Sequence, residues 1–561
     1  MRSGMILSVL LIFLLSSGEV RRHQNNPAHP RPNILYIMSD DHACQMISAY
    51  GSAISKLAPT PNIDRLAKAG MLFQSAFVEN SLCTPSRACL LTGLYSHQNG
   101  QRQLNEGIDT AKIFFTELLQ KVGYQTGVVG KWHLRCEPKG FDDYRILNDQ
   151  GEYYNPSFKS KSSNGKYIEQ NGYATSLITD YAIDFLENRK KDQPFCLLVH
   201  HKAPHRNWMP ETKYLDLYED IDFPKPETFY DTHGSQCSAA HTQAMTIGKD
   251  MEMVSDFKFS ELADSTPYNK ELTAGLIRNE LNRMDLEERK AWENAFGPKN
   301  KKFLEKHLQG EALLNWKYQR YIKDYLRCVK SVDDGVGRLL DYLEKEGLSD
   351  NTIVVYTSDQ GFYMGEHGGW FDKRFMYEES FRMPLIICYP KTILPGTVSH
   401  ALVQNIDFAP TFLSLAGIAK PKEMTGRSLE ALFAGKKPGQ WRTSLYYHYY
   451  DYPAFHNVRR HDGVRTERYK LIHFYGKGGL AGATNPMQQK KESIEYRTLQ
   501  QYARSGKMGD DPDIDCNELY DLQQDPHELT NVYGKAGYEK ITAELQKILD
   551  KYRKDLKVDE Y

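Results

Sequence analysis

The chain has 561 residues, 40% of them hydrophobic and 25% charged, which suits one large globular domain with a smaller one attached. Its 71 Lys and Arg residues offset 72 Asp and Glu residues, for a formal net charge of -1. That balance excludes a global field that would recruit nucleic acid or an anionic membrane surface, so any anion site must be local.

Residues 1–20, MRSGMILSVLLIFLLSSGEV, hold one early Arg, an apolar run from Met5 to Leu15, then the small residues Ser16, Ser17 and Gly18. This is the outline of a secretory signal peptide. The run is short for a bilayer crossing, so no membrane span is expected after cleavage. The expected destination is an exported compartment, periplasmic, extracellular or lysosomal in type, with the periplasm favoured.

Short β-branched runs then alternate with helical segments: NILYIMSDD (33–41), TGVVGKWH (126–133), PFCLLVHH (194–201), NTIVVYTSDQG (351–361) and MPLIICYP (383–390). The pattern predicts an α/β fold, a doubly wound and mostly parallel sheet with helices on both faces, over residues 30–438. Within it, residues from about 210 to 320 read as a charged insertion, and ELTAGLIRNELNRMDLEERKAWENAF as an amphipathic helix with a solvated face. From 439 to 561 aromatic strands (TSLYYHYYDYP, ERYKLIHFYG) and a closing helix (YEKITAELQKILDKYRKDL) predict a smaller C-terminal α+β subdomain.

Nine cysteines are scattered rather than arrayed in CxxC pairs, which argues against a structural zinc site or a dense disulfide scaffold. Cys196 and Cys388 lie in apolar strand-like runs and read as core.

Ligands of doubly wound sheets bind beyond the carboxyl ends of the strands, and polar residues cluster there. Asp40 and Asp41 end the first run, Asp359 and Gln360 a later one, and paired oxygen donors of this kind suit Ca²⁺ or Mg²⁺. Arg87, Lys131, His133, His205 and Lys373 supply cations and proton carriers for an anionic substrate at the same edge. Singly, each has an ordinary reading as a turn residue, a surface charge or a satisfied histidine; their recurrence at one edge is the signal. In ENSLCTPSRACLLTG (79–93), Pro85 fits a first helical turn, Thr84 and Ser86 suit its cap, and Gly93 suits its stop. Cys83 then sits at a helix N-terminus, where anions are favoured. A plain cysteine nucleophile with a histidine base is an alternative, but it accounts for neither the hard-cation ligands nor the surrounding cations.

These residues resemble the formylglycine-dependent type I sulfatases of the alkaline-phosphatase superfamily. Cys83, Pro85, Ser86, Arg87, Thr92 and Gly93 match the family motif, and NILYIMSDD, GKWH, APH, TSDQG, DKRFMYEE and ELYDLQQDPHELTNV extend the likeness over essentially the whole mature chain. The resemblance implies an alkaline-phosphatase-like fold whose C-terminal part is an antiparallel sheet plus a terminal helix. It also implies that a formylglycine-generating (sulfatase-maturing) enzyme converts Cys83 to Cα-formylglycine. The hydrated aldehyde has one oxygen to take the sulfuryl group and a second hydroxyl to expel sulfate, which a thiol or a serine lacks.

By the same resemblance, Asp40, Asp41, Asp359 and Gln360 bind one Ca²⁺ together with modified Cys83. Gln360 departs modestly from the Asn or His common there, and its amide oxygen still serves. Arg87 holds the diol, Lys131 and Lys373 bind sulfate oxygens, His133 accepts the proton in sulfate elimination, and His205 is the general acid. GKWHLRCEPKGFDDYRIL, YYNPSF, HHKAPHRNW and WFDKRFMYEES look most like the branch of N-acetylglucosamine-6-sulfatases and mucin-desulfating sulfatases. This implies a sulfated saccharide, from heparan sulfate fragments or O-glycans, held by Lys131, His205, Asp372, Lys373, Arg374 and His473. The competing readings are a sulfatase of another sulfated sugar, a phosphodiesterase or phosphatase of the same superfamily, and a sulfoglycan-binding protein without catalysis.

Overall fold

The run NILYIMSDD supplies a central strand of a ten-stranded sheet. The computed structural model describes residues 31–259, 262, 274–491, 497, 499–501 and 511–561, so the expected signal peptide lies outside the described residues. In chain order the strands are β1 (Asn33–Ser39), β2 (Met71–Phe73), β3 (Gln125–Gly130), β4 (Asp143–Leu147), β5 (Ser157–Ser160), β6 (Ile168–Glu169), β7 (Phe195–His200), β8 (Thr352–Ser358), β9 (Leu385–Cys388) and β10 (Thr397–Ser399). Their spatial order is β10-β2-β9-β8-β1-β7-β3-β4-β5-β6.

The stretch β8-β1-β7-β3-β4 is parallel throughout. β1, β7 and β8 are buried along their whole length, as expected of continuous apolar runs covered by helices on both faces. Alternate side chains serve different cores. Leu35, Ile37, Leu197, Val199 and Val354 pack in a cluster with Ile178 and Val332. Those two come from helices Ala174–Glu187 and Gly310–Lys345. Ile34, Tyr36, Leu198 and Val355 face the opposite way, toward Leu90, Phe408 and Phe412. Each such aliphatic burial contributes about 1.5–3 kcal/mol.

The structure corrects one expectation and adds two details. MPLIICYP forms β9, which runs antiparallel to β8 and β2. The physical reason is its connection: residues 359–384 stay at the carboxyl end of β8, so the next strand must start there and run back. The stretch expected as one amphipathic helix contains two, Ala274–Arg283 and Leu286–Lys306. Asp285 breaks it by capping the second helix through the Glu288 N–H, with Glu288 reaching back to the Asp285 N–H. Helix Gly310–Lys345 runs through the expected end of the charged insertion and packs on the main sheet.

Beyond residue 440 a second, four-stranded antiparallel sheet is built from Ser444–Tyr449, His461–Thr466, Tyr469–Gly476 and Ile514–Asp521. The terminal helix Glu539–Leu556 covers one of its faces, around Val464, Leu471 and Leu519. Its other face, with Tyr447, Tyr449, Ile472 and Phe474, shares a core with the main sheet. This continuity lets the second sheet reach the strand ends of the first.

Candidate active site

Four neighbouring parallel strands deliver their following residues to one place. β8 leads to Asp359 and Gln360, β1 to Asp40 and Asp41, β7 to His205 through a short turn, and β3 to Lys131 and His133. Gly130 makes the last delivery possible. Its φ is +96°, and a Cβ there would lie 1.9 Å from the His200 carbonyl oxygen. The Lys131 N–H instead donates to that carbonyl at 2.8 Å.

Helix Cys83–Thr92 points its N-terminus at the same place and is buried along its whole length. Gly93 ends it in the left-handed region, φ +63°, as the sequence predicts. The expected caps are corrected: the helix starts at Cys83 itself, so Thr84 and Ser86 lie inside the first turn and Leu82 holds the cap position without a side-chain bond. Ser86 Oγ accepts instead from Asn405 Nδ2 at 2.9 Å.

Cys83 Sγ donates to Asp40 Oδ1 at 3.4 Å. Burial pushes this thiol far above its ordinary range, and the Asp40 carboxylate adds to the shift. A thiolate is therefore unavailable, which disfavours the plain cysteine nucleophile.

Carboxylate oxygens of Asp40, Asp41 and Asp359 lie within 4.8 Å of one another, and all three residues are buried. Burial and the neighbouring Asp40 raise Asp359 to about 6, against the pull of Arg87. Burial also raises Asp41, opposed by Lys373 and reinforced by Asp40 and Asp359. Burial works against ionisation of Asp40 too, but Lys131, His205 and Arg87 outweigh it and hold its carboxyl low. Asp41 Oδ2 and Gln360 Oε1 are buried oxygens with no hydrogen-bond donor among the described residues. Crowded carboxylates plus uncommitted oxygens form a donor set that fits a hard divalent cation.

Cations surround this acidic floor. Arg87 donates from Nη2 to Asp359 Oδ2 at 2.9 Å and from Nη1 to the Lys131 carbonyl at 2.8 Å. Lys131 pairs with Asp40 and with Gln150, while Lys373 pairs with Asp41. His133 Nε2 faces Asp149 Oδ1 at 3.2 Å, and its buried Nδ1 has no partner among the described residues. Burial and Lys131 lower this imidazole to about 4, so at neutral pH it is an uncharged proton acceptor. His205 donates from Nδ1 to the Arg206 carbonyl at 2.5 Å, and its Nε2 lies 3.8 Å from Asp41 Oδ2. Burial and Lys131 hold it well below the usual histidine range.

A cavity of about 250 Å³ opens beside Cys83, bordered by Gln150, His205, Asp372, Lys373, Arg374 and Phe455. A larger cavity of about 620 Å³, between Lys258 and helix Leu286–Lys306, includes no residue of this cluster. Asp372 Oδ2 lies 3.0 Å from His456 Nε2, and His456 Nδ1 donates to the Ala244 carbonyl at 2.6 Å. Burial lowers the His456 imidazole although Asp372 pulls the other way. Burial works against ionisation of Asp372 too, but its neighbours, His456 and Lys373 first, hold its carboxyl low. Arg374 Nη1 reaches Tyr449 Oη at 3.0 Å and Asp451 Oδ2 at 3.3 Å, so the second sheet anchors this guanidinium. Asp41, His133, Asp372, Arg374 and His456 all have positive φ. Non-glycine residues held there cost on the order of 1 kcal/mol each, and such strain concentrates at functional sites.

His473 is a correction, because the structure does not bring it into the cluster. Its neighbour Phe474 packs against Phe375 beneath the active site, and strand alternation turns His473 to the opposite face. There it accepts from Arg553 at 2.8 Å through Nδ1 and lies 3.0 Å from Asp515 through Nε2. Sequence reasoning missed Asp149, Gln150, Arg206, Asn207, Phe455 and His456. Arg206 and Asn207 directly follow His205 and were findable by adjacency; the others carry no local signal.

The architecture is that of a hydrolase which gathers an acidic floor, encircling cations and a helix N-terminus at the carboxyl edge of a doubly wound sheet. Residues 32–418 match the family model described as Sulfatase, and residues 365–492 and 511–555 match N-sulphoglucosamine sulphohydrolase, C-terminal. The chain belongs to the sulfatase family, the enzymes of sulfuric ester hydrolysis. It is 43% identical over 560 residues to an N-acetylglucosamine-6-O-sulfatase of Bacteroides thetaiotaomicron, an alignment spanning 99% of this chain and 91% of that protein. Human N-acetylglucosamine-6-sulfatase is 26% identical over 443 residues, covering 75% of this chain and 67% of the human protein. A solved structure of a protein in complex with its substrate D-glucosamine-2-N,6-O-disulfate superimposes with a TM-score of 0.84 at 43% identity, covering 94% of this chain and 99% of that one. The phosphonate monoester hydrolase of Agrobacterium radiobacter shares the fold at a TM-score of 0.63 and 19% identity, over 94% of this chain and 96% of that one. Fold alone therefore does not separate sulfur from phosphorus esters.

Proposed function

We propose that this sulfatase removes the 6-O-sulfate of N-acetylglucosamine or glucosamine in sulfated glycans, heparan sulfate fragments or mucin O-glycans. The observation that carries the substrate class is the full-length, 43% identity to an N-acetylglucosamine-6-O-sulfatase. The cavity agrees with it: a carboxylate (Asp372) and a guanidinium (Arg374) flank the ammonium of Lys373, a set suited to grip vicinal hydroxyls beside a sulfate.

Asp40, Asp41, Asp359, Gln360 and position 83 would hold one Ca²⁺, and the crowded carboxylates and donor-free oxygens support that assignment. Bound there, the ion supplies Lewis acidity and offsets the carboxylate charge. Cys83 converted to formylglycine by an exported-protein maturing enzyme supplies the oxygen nucleophile that its own suppressed thiol cannot. Arg87, anchored by Asp359 and the Lys131 carbonyl, orients the modified side chain. Lys131 and Lys373 take the non-bridging sulfate oxygens, where preorganised cations are worth most in a dry site. The ester's negative charge offsets the repulsion that these two ammonium groups exert on a protonated His205, which raises that histidine and lets it pass a proton to the leaving sugar oxygen. Neutral His133, oriented by Asp149, accepts the proton released as sulfate departs. Among the described residues no helix is long and apolar enough to cross a membrane.

The test is sulfate release from N-acetylglucosamine-6-sulfate and galactose-6-sulfate by protein whose residue 83 is verified by peptide mass. Turnover of the glucosamine ester is expected. Rapid cleavage of the galactose ester with none of the other would overturn the substrate.

A further inference from the structure

The charged insertion and the C-terminal sheet meet at two cysteines that the chemistry above does not use. Cys237, in the insertion, donates its backbone N–H to Glu518 Oε1 at 2.7 Å. Cys516 lies two residues before Glu518 on the strand Ile514–Asp521, hence on the same face, opposite Phe474. Both cysteines pack against one core cluster and both keep partial solvent access. Both are free thiols, and the Glu518 contact brings Cys237 to the strand face that carries Cys516.

The approach is held from both sides. Ser235 Oγ donates to the Leu529 carbonyl at 2.6 Å and accepts from the Asn531 N–H at 2.8 Å, and Gln236 Nε2 donates to the Glu528 carbonyl at 3.0 Å. The Glu518 carboxylate lies beside the pair, but the three do not form one of the groups close enough to hold a metal ion among the described residues.

We propose that Cys237 and Cys516 form a disulfide that fastens the insertion to the C-terminal sheet. In the reaction Cys516, as its thiolate, attacks the disulfide of a protein thiol–disulfide oxidant, forming a mixed disulfide and removing the thiol neighbour that, with burial, pushes Cys237 up. The second Cys thiolate then displaces the oxidant, so one Sγ–Sγ bond forms, two protons and two electrons leave the pair, and the oxidant ends as a dithiol. The location of that oxidant rests on the export reading; the capacity to form the bond does not. The cysteines stand about 280 residues apart, so closing this loop removes much freedom from the unfolded chain. The consequence reaches the sugar cavity, because seven residues after Cys237 the Ala244 carbonyl accepts from His456, the partner of Asp372.

Purified full-length protein is incubated with oxidised glutathione, alkylated under denaturing conditions and digested without reduction. One peptide pair containing residues 237 and 516, lighter by two hydrogens than its separate halves, is expected. Separate glutathione adducts at the two positions, or full alkylation of both, would overturn the proposal. In a second measurement the oxidised protein unfolds at higher temperature than the reduced protein, and Cys237→Ser abolishes that difference. An undiminished difference in the variant also overturns it. Loss of sulfatase substrate preference would leave both readouts untouched, so failure of the functional reading and failure of the disulfide are distinguishable.

Discussion

Arg87 Nη2 and Asp359 Oδ2 form a 2.9 Å ion pair whose side chains are 1% and 0% exposed. Removing one member of such a pair strands the other charge in a dry interior. Arg87→Ala is expected to lose about 3–5 kcal/mol of stability in urea unfolding, with Arg87→Ala/Asp359→Asn recovering part of it. Equal stability of Arg87→Ala and the parent would show that the pair carries no such energy.

Position 83 separates a precursor from a nucleophile. Cys83→Ala and Cys83→Ser are both expected to fold and to lose turnover where the maturing enzyme accepts only cysteine. Full-rate sulfate release from protein whose peptide mass shows unmodified cysteine would sink the mechanism.

Metal removal tests the acidic floor. A chelator should lower the unfolding temperature and abolish turnover, because a ligand that binds only the folded state stabilises it by mass action. Ca²⁺ should restore both, with Mg²⁺ less effective at a site built from several protein oxygens. An unfolding temperature indifferent to chelator and to added Ca²⁺ would count against these residues as ligands.

Glu79 predicts a pH dependence away from the reaction. Burial raises this carboxyl to about 7, although hydrogen bonds from Cys89 and Ser96 pull the other way. A folded value above the unfolded one means that the contribution is fully present below about pH 4.5 and is lost as pH rises through about 7. The full difference is about 3 kcal/mol. Relative to the parent, Glu79→Gln should therefore gain stability between pH 5 and 8 in thermal melts. A constant difference across that range would show that Glu79 does not titrate there.

Asp372 and His473 should separate cleanly in kinetics. Asp372→Asn is expected to raise KM for the glucosamine ester at least tenfold, the scale of one lost charged hydrogen bond. His473→Ala should leave KM unchanged while lowering stability, since Asp462 and Arg553 lose a shared partner. A KM effect from His473→Ala equal to that of Asp372→Asn would return His473 to the sugar site.

The strand ends were legible because parallel strands write their chemistry locally: an apolar run followed at once by DD, KWH or DQG. Cys83 and Arg87 were legible for the same reason, one helical turn holding motif and geometry together. His473 was misread because a histidine in an aromatic strand reveals its spacing but not its face, and only the packing of Phe474 on Phe375 decides that.

By itself, then, the sequence determined the sheet class, the helix that carries Cys83, and a set of acids and cations at strand ends, since each depends on contacts within a few residues. The tertiary structure alone decided which distant groups complete the site. His456 meets Asp372 across 84 positions, Tyr449 and Asp451 grip Arg374 from another sheet, and Gln150 meets Lys131 from a loop. Such pairings follow from how two sheets share one core, a long-range packing outcome that no local spacing encodes.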